Sequence, residues 1–328
     1  MNKKPDISLV IPFINEIDSL HKLYEWITDV LGKNLLSFEI IFVDDGSSDG
    51  SWLCIEKICN NDKRVKAIRF QRNYGKSQAL HAGFKLCKGN VVCTMDADLQ
   101  DSAEELPKLY NMIINDGYDL VSGWKKKRYD SIFLKNFPSK IFNWAARNVS
   151  GVKLNDFNCG LKAYKIDVIK SIEVYGEMHR YIPVLASQAG FKNIGEKVVL
   201  HSPRKYGKSK FGPDRFIKGF LDLITLWFIN RFGKRPMYFF GLIGTLMLIV
   251  GFGFALYLGV DKVIINTKGR LISERPEFYV ALTTMILGSQ FSLAGFIGEI
   301  ILRNRDHSLR YNVKEIISKN WNLNDDNS

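Results

Sequence analysis

The chain has 328 residues, 46% of them apolar and 24% charged, with a formal net charge of +12. That length suits one sizeable α/β domain with an appendage and a large buried core, while the positive charge by itself excludes none of nucleic acid, anionic lipid or an acidic substrate. The five cysteines (Cys54, Cys59, Cys87, Cys93, Cys159) lack zinc-site spacing, and their odd number argues against a disulfide framework, so they read as reduced, mostly buried thiols of a cytosolic domain.

In chain order, MNKKPDISLVIPFINE starts basic, but its apolar run extends only from Ile7 to Phe13, which predicts a strand and not a signal peptide. Further strands are expected at Glu39–Asp44, Val65–Arg69, Asn90–Asp96 and Asp119–Gly123. Leu20, Leu23, Tyr24, Ile27 and Leu31 recur at helical spacing, and later helices are expected at 51–60, 76–87, 103–116 and 166–174. This alternation predicts an α/β fold with a mostly parallel sheet covered by helices.

From Pro213 to Phe232 the sequence is amphipathic, which fits a helix lying in a membrane surface or one packed on the preceding domain. Residues 237–260 and 278–298 contain no charged residue and no polar face, and each is long enough to cross about 30 Å of hydrocarbon as helix. Nine Lys/Arg against Asp214 and Asp222 precede the first span, and Arg303, Arg305 and Arg310 follow the second. The positive-inside rule then makes both termini cytoplasmic and the spans a hairpin in the cytoplasmic membrane. The expected organisation is a catalytic domain at 1–210, a juxtamembrane helix at 211–236, a hairpin at 237–302 (spans about 237–260 and 278–302) and a cytoplasmic tail at 303–328.

Ligands of open α/β sheets bind beyond the carboxyl ends of the strands, and the polar motifs fall there. Asn15-Glu16 follows the first expected strand, Asp44-Asp45-Gly46-Ser47 the second, Arg72-Asn73 the third, and Asp96-Ala97-Asp98 ends the fourth. Carboxylates two residues apart offer hard oxygens to Mg²⁺ or Mn²⁺, which neutralises a diphosphate leaving group. A solvated acidic turn would look the same in isolation; the strand-end position beside the other motifs favours the metal site. Asp44 and Asp45 suit a ribose or base edge, or a turn with a helix cap. Arg72, Asn73 and Lys76 supply donors beside a glycine, or form a surface loop. Lys125, Lys126, Lys127, Arg128, Lys135, Lys140 and Arg147 stand against Asp130 alone, enough to attract a lipid phosphate.

Taken in order, Pro12-Phe13-Ile14-Asn15-Glu16, the Asp44–Gly50 run, Arg72–Lys76, Asp96–Asp101, Asp156–Lys162 and Arg204–Lys210 resemble the motifs of family 2 glycosyltransferases. More narrowly they are similar to the dolichol-phosphate mannosyltransferase group and its bacterial polyprenyl-phosphate relatives. The resemblance covers about residues 5–235, and two C-terminal spans also occur in that group.

It implies a GT-A fold, a UDP- or GDP-sugar donor, a divalent cation and inversion at the anomeric carbon. Asp96, Asp98 and Gln100 would hold the metal and diphosphate. Pro12, Asn15, Glu16, Asp44, Asp45, Arg72, Asn73 and Lys76 would line the nucleotide site. Arg204 and Ser209 would close on the donor phosphates. Where the family often has Val-x-Gly-x-Arg, this chain has Val121-Ser122-Gly123-Trp124-Lys125, so the acceptor phosphate passes to Lys125 or Arg128. His179 reads as structural or membrane-facing.

A phosphate acceptor, undecaprenyl or dolichyl, is already ionised near neutral pH and needs no general base. The alternative is a membrane-bound family 2 enzyme extending a cell-surface glycan, which calls for a base and, if processive, a QxxRW-type motif that the sequence lacks. A transporter module is disfavoured by spans without buried charge apart from Glu299. Basic residues concentrated beside apolar spans point to membrane lipid and away from nucleic acid. Homo-oligomerisation is compatible with the sequence.

Overall fold

The computed structural model describes residues 4–126, 143, 146–147, 150–174, 176, 178–203, 228, 231–232, 235–265, 267 and 269–303. The chain divides near residue 224, and a second unit spans Thr225–Arg310.

In the first unit, strands β1 (Ile7–Phe13), β2 (Phe38–Asp44), β3 (Val65–Arg69), β4 (Val91–Thr94), β5 (Leu120–Trp124), β6 (Lys162–Lys165) and β7 (Ile194–Val198) form one sheet in the order β3-β2-β1-β4-β6-β5-β7. β3, β2, β1 and β4 run parallel, as do β5 and β7; β6 lies antiparallel between β4 and β5. The mostly parallel sheet expected from the sequence is present. β6 and β7 were not expected, because KAYK and IGEKV are short and studded with charge. β4 is shorter than Asn90–Asp96 because its ladder with β6 ends at Thr94–Lys162, leaving Asp96 beyond the sheet edge.

Helices α1 (Ile17–Lys33), α2 (Ser51–Asn61), α3 (Lys76–Leu86), α4 (Leu106–Ile114), α5 (Ile166–Lys170) and α6 (Ile182–Gln188) cover the sheet. α4 is preceded by a 3₁₀ turn at Ala103–Glu105, and α5 stops short of the expected residue 174. α1 buries Leu20, Leu23, Ile27 and Leu31 completely, the stripe its spacing predicts. α3 reaches β1 through Gly83, where a Cβ would stand 2.4 Å from Val10 Cγ1. β1 and β2 are buried almost throughout, as expected of strands covered on both faces. All five cysteines are free, and burial pushes the Cys87, Cys93 and Cys159 thiols up to about 12, where they are inert.

The second unit contains α7 (Pro236–Val260) and α8 (Pro276–Arg303), both long and apolar enough to cross a membrane. They are antiparallel, and Asp261 accepts from Arg275 at 2.5 Å across the connecting turn. Glycines set their separation: a Cβ at Gly244 would stand 2.4 Å from Ser292 Oγ and 2.6 Å from the Gly288 carbonyl. The expected juxtamembrane helix at 211–236 and tail at 303–328 lie outside the described residues, save Phe228, Arg231, Phe232, Arg235, Pro236 and Arg303.

Gly244→Leu is expected to force the helices apart at a cost of about 1–3 kcal/mol, read as a lower Tm of the detergent-solubilised protein. Gly253→Leu, at a glycine with nothing within 4 Å, should leave Tm unchanged. Equal effects of the two would show that close packing at Gly244 is not the cause.

Candidate active site

The site is assembled by contacts that pass from one strand end to the next. After β1 the backbone enters the left-handed region at Asn15 (φ 50°), whose amide donates to Ser47 Oγ (2.9 Å) while its side-chain oxygen accepts from the Ser48 amide (2.8 Å). The Glu16 amide donates to Ser51 Oγ (2.9 Å), and Pro12 pairs with Val43 within the sheet. The first and second motifs therefore form one corner. Burial pushes the Asp49 carboxyl up, but bonds from the Ser51 hydroxyl and amide outweigh it and hold it below the ordinary range.

Asp44 is fully buried; its carboxylate accepts from the Ser47 amide (2.8 Å) and lies 3.5 Å from Arg69 Nε. Asp45 accepts from the Tyr74 amide (2.7 Å) and the Gly75 amide (3.0 Å), so it ties the second motif to the third. Burial raises its pKa despite those amides. Gly46, at φ 82°, rests on the third motif: a Cβ there would stand 2.6 Å from the Arg72 carbonyl carbon. Arg72 and Asn73 are exposed, with the Arg72 guanidinium 4.9 Å from the Tyr74 ring centroid.

Lys76 begins α3 and donates to Asp96, joining the third motif to the fourth. Burial alone would raise the Asp96 pKa, but Lys76 and Lys125 reverse this and hold it well below the ordinary range. Gly160 lies against the Asp96 carboxylate, where a Cβ would approach its oxygens to 2.5 Å, and Thr94 Oγ1 donates to the Gly160 carbonyl (2.8 Å). Asp98 is 9% exposed, with its carboxylate accepting from the Gln100 amide (3.2 Å) across a turn in which Leu99 has φ 59°. A non-glycine residue in that region marks local strain held by its surroundings. Gln100 exchanges bonds with Ser202: its carbonyl accepts at 2.8 Å and its side-chain amide donates at 3.4 Å.

Beneath the fourth motif is a buried charge network absent from the sequence reading. Lys125 Nζ stands 2.6 Å from Asp101 Oδ1, with side chains 12% and 0% exposed, and His201 Nδ1 lies 3.7 Å from the same oxygen. Burial opposes the Lys125 charge, yet Asp101 raises its pKa; burial likewise opposes the Asp101 charge, yet Lys125 lowers its pKa. Lys125 was expected to meet the acceptor phosphate, and its ammonium is instead turned inward. Lys162 is 4% exposed and donates to the Phe157 and Cys159 carbonyls. The His179 amide donates to Ser77 Oγ (3.0 Å), and its Nδ1 shares a hydrogen bond with the same hydroxyl (3.1 Å). Burial, reinforced by Lys76, holds that imidazole neutral, with its pKa well below the ordinary value.

The expected contributions of Arg204, Ser209 and Arg128 lie outside the described residues. Asp96 and Asp98 fit a divalent cation: both are oxygen donors at one strand end, and Asp96 is held ionised. Among the described residues no three His, Cys, Asp or Glu side chains converge on one point. Asp96 and Asp98 would supply two oxygen ligands to such an ion, the remaining ligands coming from elsewhere.

Asp96 and Asp101 have folded pKa values below the free value of about 3.9. They therefore stabilise the fold above that value, and the contribution is lost as pH falls through the depressed values. Lys125→Met strands Asp101 as a buried, unpaired charge, with an expected cost of about 3–5 kcal/mol in denaturant unfolding at pH 7. The cost should shrink at pH 4, where the stranded carboxyl takes up a proton; equal costs at both pH values would exclude the ion pair as the source.

The family model "Glycosyl transferase family 2" matches residues 8–172. The chain is 34% identical over 316 residues to the dodecaprenyl-phosphate galacturonate synthase of Rhizobium johnstonii, covering 95% of this chain and 93% of that one. It is 35% identical over 298 residues to the undecaprenyl-phosphate 4-deoxy-4-formamido-L-arabinose transferase of Pseudomonas fluorescens, covering 90% and 85%. Among solved structures, the glucosyl-3-phosphoglycerate synthase of Mycobacterium tuberculosis aligns with TM-score 0.52 at 18% identity, over 68% of this chain and 80% of that one. Its complex with Mg²⁺ and UDP aligns equally well, with TM-score 0.52. These structural likenesses establish the GT-A-like fold alone. The sequence matches span the strand-end motifs, and the chain belongs to glycosyl transferase family 2.

Proposed function

We propose that this chain transfers a sugar, with inversion, from a UDP- or GDP-sugar to the phosphate of a polyprenyl lipid at the cytoplasmic membrane face. The observation that carries the reading is that the carboxylates described at the strand ends are all engaged. Asp44 holds Ser47 and lies beside Arg69, Asp45 holds two backbone amides, Asp96 pairs with Lys76, Asp98 accepts from Gln100, and Asp101 pairs with Lys125. His179 is locked neutral against Ser77. A sugar hydroxyl acceptor would need one of these groups as a base, whereas an ionised phosphate attacks directly. The two relatives named above act on dodecaprenyl and undecaprenyl phosphate, and their similarity extends through both units of this chain.

Asp98 and Gln100, with Asp96, would hold Mg²⁺ or Mn²⁺, which supplies charge neutralisation to the diphosphate as the sugar departs. Lys76 keeps Asp96 ionised and brings an ammonium to the same cleft. Arg72 and Asn73 offer exposed donors to the nucleotide, while Asp45 and Gly46 fix the loop that carries them. Arg204 and Ser209 would close over the donor phosphates. With Lys125 committed to Asp101, the acceptor phosphate falls to Arg128. α7 and α8 would anchor the enzyme as a membrane hairpin, with the basic flanks on the cytoplasmic side.

Membranes containing the full chain, incubated with labelled nucleotide sugars, Mg²⁺ and undecaprenyl phosphate, should yield label extractable into organic solvent. Asp98→Ala should lower that rate on the order of 100-fold or more. Gly160→Ala, which crowds the Asp96 carboxylate, should also reduce it while the protein remains folded. Label confined to polymer would move the assignment to the glycan-extending alternative.

A further inference from the structure

We infer that the base of the hairpin is a headgroup site for a zwitterionic phospholipid bearing a primary ammonium. The inference rests on the reading that α7 and α8 span the membrane. A cavity of about 500 Å³ is lined by Arg235, Met237, Tyr238, Phe296, Glu299 and Ile300, all within the second unit. The helices are antiparallel, with a Cβ at Gly298 falling 3.0 Å from Pro236 Cγ, so the start of α7 and the last turns of α8 share one end. Tyr238 is 64% exposed and Phe296 59%, which opens the cavity sideways towards lipid.

The two ionisable groups of the cavity carry opposite charge and do not pair with each other. Arg235 is fixed at the start of α7: its guanidinium donates to the Tyr238 hydroxyl at 2.5 Å and lies 5.2 Å from that ring's centroid. One donor is thereby used, and the remaining N–H groups can grip a phosphate. Glu299 is the only charged residue of α8 between Glu277 and Arg303, and among the described residues it has neither an ion pair nor a hydrogen bond. A carboxylate in an apolar span calls for a cationic partner.

A ligand with a phosphate for Arg235 and an ammonium for Glu299 answers both demands. A lipid with only negative charge would set like charges together at Glu299. A choline headgroup has the charge but no N–H to donate. Met237, Phe296 and Ile300 then contact the glycerol and the upper acyl chain.

The test uses the full chain reconstituted in vesicles of equimolar phosphatidylethanolamine, phosphatidylcholine and phosphatidylglycerol, then extracted for native mass spectrometry of retained lipid. Phosphatidylethanolamine should be enriched roughly tenfold, the factor expected of one good charged contact. Glu299→Gln should abolish the preference over phosphatidylglycerol, Glu299→Asp should keep it, and Arg235→Gln should reduce retention of all three lipids. Equal retention of the three by the unaltered protein, or an unchanged preference in Glu299→Gln, would overturn the proposal. Displacement of the retained lipid by undecaprenyl phosphate would also overturn it, by assigning the cavity to the acceptor. Recovery of the chain without membranes would instead refute the hairpin reading itself.

Discussion

The first unit is organised around an ionised carboxylate held at the end of a buried strand. Partial burial of a carboxylate disfavours its charge, and the cations beside Asp96 more than offset this. Lys76 reaches it only because α3 begins there, and α3 begins there because the preceding loop is gripped by the Asp45 carboxylate and packed on Gly46. Lys125 serves Asp96 and the still more deeply buried Asp101 together. Gly160 lacks a side chain where one would strike the Asp96 oxygens. Each of these contacts links segments distant in the chain, so the site and the stability of the sheet edge depend on the same groups.

The charge network also shapes the chemistry. Cations beside Asp96 keep its carboxylate ionised through the physiological pH range. Asp44 and Asp45 accept from backbone amides and Asp101 pairs with Lys125, so these carboxylates fix the loops and the charge around the cleft. The neutral imidazole of His179, held through Ser77 against the start of α3, adds rigidity without charge. Such a cleft is built to position and neutralise, which is what transfer to an already ionised acceptor requires.

The hairpin follows different rules. In the proposed membrane setting, lipid would offer its helices no hydrophobic reason to associate, so close approach at small residues and a few polar contacts would take over. Gly244 against Gly288 and Ser292, and Gly251 against Ala281 and Met285, bring the backbones together, and Asp261 with Arg275 closes the far turn. At the opposite end Arg235 and Glu299 line one cavity without pairing with each other.

The amino-acid sequence by itself determined the parallel half of the sheet, since β1, β2 and β4 are mostly apolar runs bounded by turn residues, and it determined that two later segments are long apolar helices. It also located the strand-end motifs, because a polar cluster following an apolar strand can be read locally. It did not reveal β6 and β7, whose lysines are satisfied only by tertiary partners: Lys162 by the Phe157 and Cys159 carbonyls, Lys165 by Asp119. Nor did it reveal that Lys125 pairs with Asp101, because that contact depends on a residue 24 positions earlier that only folding brings within 2.6 Å. Periodicity records which residues leave water; which charges then meet is decided by the three-dimensional packing, where the cost of an unpaired buried ion selects the partner.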